Sequence, residues 1–386
     1  MTTIKLPTAI GHLADYRMSE PRAFVTSAGP FDRVAFAAAH VVADPLADVD
    51  PWQEPAIDWG RTVAFREHLW DLGLGVAEAM DTAQRGMGLD WPTSLELIRR
   101  SLAAAKARGA LVACGAGTDH LAPSADLTVD AVIRAYEEQI EAIEALGGRI
   151  ILMSSRALAA CARSPDDYRA VYDRILAQVQ GPVIIHWLGE MFDPALAGYW
   201  GFDDHLAAMD VCVDVIAAHA AKVDGIKLSL LDKDKESLLR ARLPEGVRMY
   251  TGDDFNYPEL IAGDGRRHSD ALLGIFDPIA PAASAALLAL SDGRLGDFHA
   301  IFEPTVALSR HIFAAPTRFY KTGVVFMAYL NGHQDHFVMV GGQQSARSLL
   351  HLAELFRLAD AAGLLPKPER AAARMRKVLA VHGVEA

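Results

Sequence analysis

Short apolar runs alternate with longer amphipathic stretches along most of the chain. The runs are Arg33–Val42, Gly73–Met80, Ala110–Cys114, Arg149–Met153, Pro182–Trp187, Gly225–Leu230, Arg248–Thr251 and Ala271–Phe276. They are rich in Val, Ile, Leu and Ala, with little polar alternation, which predicts strands buried on both faces. Val129–Leu146 typifies the stretches between them. Its apolar residues recur at three- and four-residue steps, Thr128 supplies an N-cap, and Gly147-Gly148 ends the pattern. Such strands separated by amphipathic helices predict a parallel sheet covered by helices. Eight strand–helix units predict an α/β fold of the closed (β/α)8 TIM-barrel type. An open doubly wound sheet would normally carry a Gly-rich phosphate loop after its first strand. Here that position reads Ala43-Asp44-Pro45.

Beyond the eighth run, Ala282–Leu290, Gly296–Phe313, Thr322–Leu330 and Ser345–Ala362 all read as helices. One closing barrel helix does not account for them. They predict a C-terminal helical extension (286–386) packed on a barrel domain (1–285), with a role at a subunit contact. Before Arg33, Phe24-Val25-Thr26 and the turn Gly29-Pro30 predict a small strand that plugs the barrel bottom. The proline-bearing stretch Asp44–Trp59 predicts a loop on the functional rim.

Composition narrows the function classes. The chain has 386 residues, a formal net charge of −12, 51% hydrophobic and 22% charged residues, an ordinary globular balance. No basic stripe is available to neutralise phosphates, so nucleic acid is not an expected partner. Cys114, Cys161 and Cys212 are far apart and form no C-x-x-C pair, which points to packed thiols. The first residues lack a signal-peptide pattern, and no apolar run reaches about 18 residues. A cytoplasmic enzyme with no membrane partner is expected.

One residue breaks the apolar pattern. In Ile226-Lys227-Leu228-Ser229-Leu230, strand alternation puts the isoleucine and leucines on one face and Lys227 with Ser229 on the other. The apolar face suits the helix layer, so Lys227 is expected to point into the barrel. An ordinary lysine has a pKa near about 10.4, and only about one in 2,500 is the free amine at pH 7. Burial lowers that pKa and makes the amine a usable nucleophile for imine chemistry on a carbonyl. The bland reading is a lysine snorkelling to a rim carboxylate such as Asp253 or Glu190. Polar residues also crowd the other strand ends. They include Glu78, Asp81, Thr82, Asp119, His120, Ser155, Arg156, His186, Glu190, Asp253, Asp254 and Gly274, where barrel enzymes build their sites.

In order and spacing these motifs resemble the dihydrodipicolinate synthase and N-acetylneuraminate lyase family of Schiff-base aldolases. Gly225-Ile226-Lys227 matches the family's lysine strand, Gly252-Asp253-Asp254 its next strand end, and Gly274-Ile275 its eighth strand. Asp277-Pro278-Ile279-Ala280-Pro281 resembles the turn that follows, and Pro316 with Lys321 the later helix entry. The likeness runs from about Ala56 to Leu330. It implies Lys227 as the imine-forming residue, a homodimer or homotetramer, and no cofactor or metal. The chain departs from the family where the substrate carboxylate is bound. The strand-two G-T-T-G-E loop reads Asp81-Thr82-Ala83-Gln84-Arg85, so Thr82 matches and an aspartate replaces its neighbour. Asp81 would repel a carboxylate, and the sequence leaves open whether Arg85 compensates. The family's proton-shuttling tyrosine falls at His186, a residue suited to acid–base work. Its double tyrosine falls near Ser155-Arg156, and Arg156 is suited to a carboxylate or phosphate. The chain therefore resembles a divergent branch.

The leading expectation is a Schiff-base lyase or aldolase acting on a 2-oxo acid or related carbonyl compound. Lys227 and His186 are its catalytic residues, and Asp81, Thr82, Ser155, Arg156, Asp253 and Gly274 bind substrate. A second reading takes the strand-end carboxylates and histidines as ligands of a divalent cation in an aldolase or sugar isomerase. A third is a ligand-binding barrel without chemistry. His333-Gln334-Asp335-His336 is expected to be a polar turn, and Trp187 either lines the site or packs in the core.

Overall fold

The computed structural model describes residues 2–385. The chain divides into two compact units, each built from separate segments. One comprises residues 33–39 and 75–274. The other comprises residues 1–32, 40–74 and 275–386.

A hairpin opens the second of these units, β1 (Thr3–Pro7) against β2 (Leu13–Arg17). The hairpin is tied to the helix Leu349–Ala361. Tyr16 Oη and the Ser19 backbone N–H both donate to Asp360 at 2.8 Å, and Arg357 donates to the Pro7 carbonyl. The same unit holds the helices Ala280–Ser291, Leu295–Ile312 and Tyr320–Asn331, in line with the expected C-terminal helices. It adds Pro368–Val381, which the sequence reading passed over. Phe24-Val25-Thr26 is not a strand. Phe24 is half-buried and Val25 is 77% exposed.

The other unit is a closed parallel barrel, ordered β10-β3-β4-β5-β6-β7-β8-β9. Its strands are β3 (Ala35–Ala38), β4 (Gly75–Glu78), β5 (Val112–Ala116), β6 (Arg149–Met153), β7 (Val183–Leu188), β8 (Val223–Ser229), β9 (Arg248–Thr251) and β10 (Asp270–Leu273). All eight fall on the apolar runs, because successive residues, which point to opposite faces, are nearly all buried. The helices between them start and stop on local chemistry. Trp91–Arg108 begins where Asp90 accepts from the Thr93 N–H, and it ends at Gly109 with φ +64°. Thr128 caps Val129–Ala145 in the same way.

The lumen is filled by Phe36, Ala77, Ala113, Ile151, Ile184, Tyr250 and Leu272. Two glycines make room for its rings. A Cβ on Gly75 would stand 2.8 Å from Phe36, and one on Gly225 would stand 2.7 Å from Tyr250. These rings fill the barrel interior, and barrel enzymes build their sites at the carboxyl ends of the strands. Among the described residues, no helix is long and apolar enough to cross a membrane.

Candidate functional site

Lys227 and His186 stand opposite each other on neighbouring parallel strands, β8 and β7. Ile226 and Leu228 fill the helix side of β8, so alternation turns Lys227 and Ser229 to the lumen, as the pattern required. Lys227 is 7% exposed and His186 1%. The Lys227 ammonium makes no ion pair within 4 Å among the described residues. Burial lowers its pKa from the ordinary lysine value, while the charges of Asp81 and Asp254 act to raise it. His186 Nε2 faces Ser229 Oγ at 3.3 Å, and its Nδ1 is buried with no hydrogen-bond partner. Burial first, and the charge of Lys227 second, hold the imidazole well below its usual pKa. The pair therefore places an amine with no ion-pair partner beside a neutral ring whose second nitrogen has no bond.

A cavity opens against this pair. His186, Asp81, Ser154 and Arg156 help to line it. Lys227 does not itself form the wall. The cavity meets the His186 ring, its neighbour on the next strand, and Asp81, whose charge acts on the amine.

Two arginines also reach the wall, and each is already matched. Arg85 directs Nε and Nη2 to the two carboxylate oxygens of Asp119, at 3.1 and 2.7 Å. It also donates to the carbonyls of Ala79 and Gly115 and to Gln139 Oε1. Gln139 in turn donates to Asp119 at 3.0 Å. The Arg85 side chain is only 1% exposed, and its Cζ lies 5.1 Å from the centre of the Trp91 ring. Arg156 pairs with Asp193. The turn carrying Asp81 is a 3₁₀ helix, Asp81–Ala83, entered through Ala79 (φ +53°) and left through Gln84 (φ +67°). It turns the N–H groups of Ala83 and Arg85 onto the Met80 carbonyl and that of Gln84 onto the Asp81 carbonyl.

The remaining expected site residues are buried, and two of them carry local hydrogen bonds. Thr82 is buried within the 3₁₀ turn. Ser155 caps the helix Arg156–Cys161 through the Leu158 N–H and shares a 2.6 Å hydrogen bond with Thr118. Its neighbour Ser154 reaches the cavity and donates to the His186 carbonyl. Asp253 accepts from the N–H groups of Phe255 and Asn256 and from Asn256 Nδ2. Gly274 is buried just after β10. Trp187 faces the helix layer, where its ring meets Trp200 and His205.

The set considered for a cation disperses. Glu78 bonds Ser101 and its own chain at Ala79, Asp119 is taken by Arg85, and Glu190 by His205. Among the described residues, no group of three or more His, Cys, Asp or Glu is placed to share an ion. His333–His336 forms a polar turn in which Asp335 pairs with Arg61 and Arg374.

Sequence reasoning missed Gln139 and Asp193. Gln139 had a signal, since it falls on the apolar face of its helix among Val132, Ala135, Tyr136, Ile140 and Ile143. Asp193 had none beyond its place before Pro194.

No curated protein matches this chain. Solved structures match its fold. A dihydrodipicolinate synthase from Thermotoga maritima superposes with a TM-score of 0.65 at 14% identity, covering 86% of this chain and 99% of that one. YagE, a prophage protein of the dihydrodipicolinic acid synthase family from E. coli K12 in complex with pyruvate, gives 0.66 at 12% over 86% and 99%. The 4-hydroxy-tetrahydrodipicolinate synthase of Methylacidiphilum fumariolicum SolV gives 0.63 at 16% over 92% and 99%. The barrel thus has the dihydrodipicolinate synthase fold that the motif order suggested. By sequence, with residues 4–384 matched, the chain belongs to the family described as protein of unknown function (DUF993).

Proposed function

We propose that the protein is a carbon–carbon lyase that works through an imine on Lys227. The observation that carries this reading is a lumen-facing lysine, 7% exposed and without an ion pair among the described residues, opposite a neutral histidine at a cavity wall. The neutral amine adds to the substrate carbonyl carbon and forms an N–C bond. The carbonyl oxygen leaves as water, and a protonated imine remains. A base then removes the proton of the β-hydroxyl. The carbon–carbon bond breaks, its electron pair moves to the imine nitrogen, and an aldehyde and an enamine result. Return of the proton to the enamine carbon, followed by hydrolysis, frees the second product and the amine. His186 is the base, since its Nδ1 is buried without a partner and burial keeps the ring neutral near pH 7. Asp81 and Arg156 contact substrate, while Thr82, Ser155, Asp253 and Gly274 hold the strand ends that carry them. The working form is a homodimer or homotetramer acting on a small carbonyl compound.

Borohydride treatment with carbonyl probes, followed by peptide mass spectrometry, tests the mechanism. An adduct mapped to Lys227 is expected, and it is unaffected by chelator. Turnover lost to chelator with no adduct on Lys227 would replace this reading with the metal-dependent one.

A further inference from the structure

We infer that the substrate carbonyl belongs to an uncharged polyhydroxylated ketone or aldehyde, and that no carboxylate sits beside it. This inference rests on the Lys227 imine reading and names what that imine is made from.

A 2-oxo acid brings a carboxylate to within a bond of the reacting carbon. A site that holds it must supply cations or several free N–H and O–H donors, because a desolvated carboxylate without partners is costly. Most donors of that kind near Asp81 are already used. The Arg85 guanidinium is spread over Asp119, two backbone carbonyls and Gln139, and it is buried. Arg156 is paired with Asp193. The N–H groups of Ala83, Gln84 and Arg85 bond inside their own turn. The hydroxyls of Thr118 and Ser155 bond each other, and that of Ser154 donates to the His186 carbonyl.

Charge gives the same answer. The cavity wall carries Asp81, Asp119 and Asp193 against Arg85 and Arg156. With the two arginines matched, Asp81 is left over, and its charge acts on Lys227. A second carboxylate there would meet a like charge in a partly desolvated site. Substrate hydroxyls fit instead. Each donates a hydrogen bond, and a carboxylate such as Asp81 offers acceptors only. The unbonded Nδ1 of His186 accepts one more.

The test compares rates of borohydride trapping on Lys227 in the full-length protein, with pyruvate and 2-oxobutyrate against dihydroxyacetone and erythrulose. The uncharged ketones are expected to trap faster than the oxo acids by more than about tenfold. In Asp81→Asn the gap narrows from both sides, with oxo-acid trapping rising and ketone trapping falling. Pyruvate trapping as fast as or faster than erythrulose in the parent protein overturns the inference and leaves the imine intact. Absence of an adduct with all four probes overturns the imine reading itself.

Discussion

Gly252 gives a direct handle on where the Lys227 amine sits. A Cβ at this position would lie 2.7 Å from the Leu228 carbonyl oxygen and 2.9 Å from Lys227 Cε, and closer still to Ser229 Oγ. Ordinary contacts of carbon with such atoms begin near about 3.5 Å, so Gly252→Ala demands a shift of roughly 0.5–1 Å. The Ser229 hydroxyl can rotate away, but it then leaves His186. The Leu228 carbonyl cannot retreat, since it accepts the Gly252 N–H at 2.9 Å and lies within the β8–β9 pairing. Displacement therefore falls on the lysine stem. Overpacking of this kind costs about 1–3 kcal/mol of stability. A misplacement near 1 Å lowers the rate of a positioned reaction by about a hundredfold. The assay is the rate of borohydride-trapped imine on Lys227 with erythrulose, read beside the melting temperature. Gly181→Ala is the control, because nothing lies within 4 Å of its added carbon. The expected result is a folded Gly252→Ala protein with trapping down about a hundredfold and the control unchanged. Trapping within twofold of the parent at an unaltered melting temperature would refute the placement of the amine.

Glu236 is fully buried, accepts from Ser269 and Thr251 at 2.7 and 2.9 Å, and has its pKa pushed up to about 8, chiefly by burial. Its cost to folding is absent below about pH 4.5, grows as pH rises and levels off above about pH 8. Glu236→Gln should therefore stabilise by about 3 kcal/mol at pH 7 and by almost nothing at pH 4 in urea titrations. Arg85→Ala takes the guanidinium away from Asp119 and from two backbone carbonyls, and should cost about 3–5 kcal/mol by the same measurement. The His333 ring lies 4.6 Å from that of His68, and burial pulls its pKa down to about 3. Its neutral form is favoured by the fold, so stability is full above about pH 6.5 and falls on acidification. The loss assigned to His333 is about 2 kcal/mol by pH 5, and His333→Gln should remove that part of the pH dependence.

The barrel was legible because burial on both faces writes a strand as an unbroken apolar run, and β6 and β9 fall at the residues the pattern marked. The orientation of Lys227 was legible for a related reason, since alternation within one strand needs no partner to be known. Pairings across strands were not. Arg85 meets Asp119 across 34 residues, and Arg156 meets Asp193 across 37. Nothing local distinguishes an arginine free to bind substrate from one already matched. The hairpin β1–β2 escaped notice because its outer positions are exposed and only Ile4, Leu6 and Pro7 are buried on β1. The helix Pro368–Val381 did carry a signal, Ala371, Ala372, Met375, Val378 and Leu379 at three- and four-residue steps, which reading by strand–helix units passed over.

Ala35 on β3 pairs with Ala271 on β10, 236 positions later in the chain. At translation speeds of about 5–20 residues per second, the first barrel strand emerges roughly 12–50 s before its closing neighbour exists. Throughout that interval β3 offers an unmatched row of backbone donors and acceptors, flanked by the apolar side chains of residues 35–38. Newly made protein therefore has a window of vulnerability to association that ends only when the last strand seals the ring.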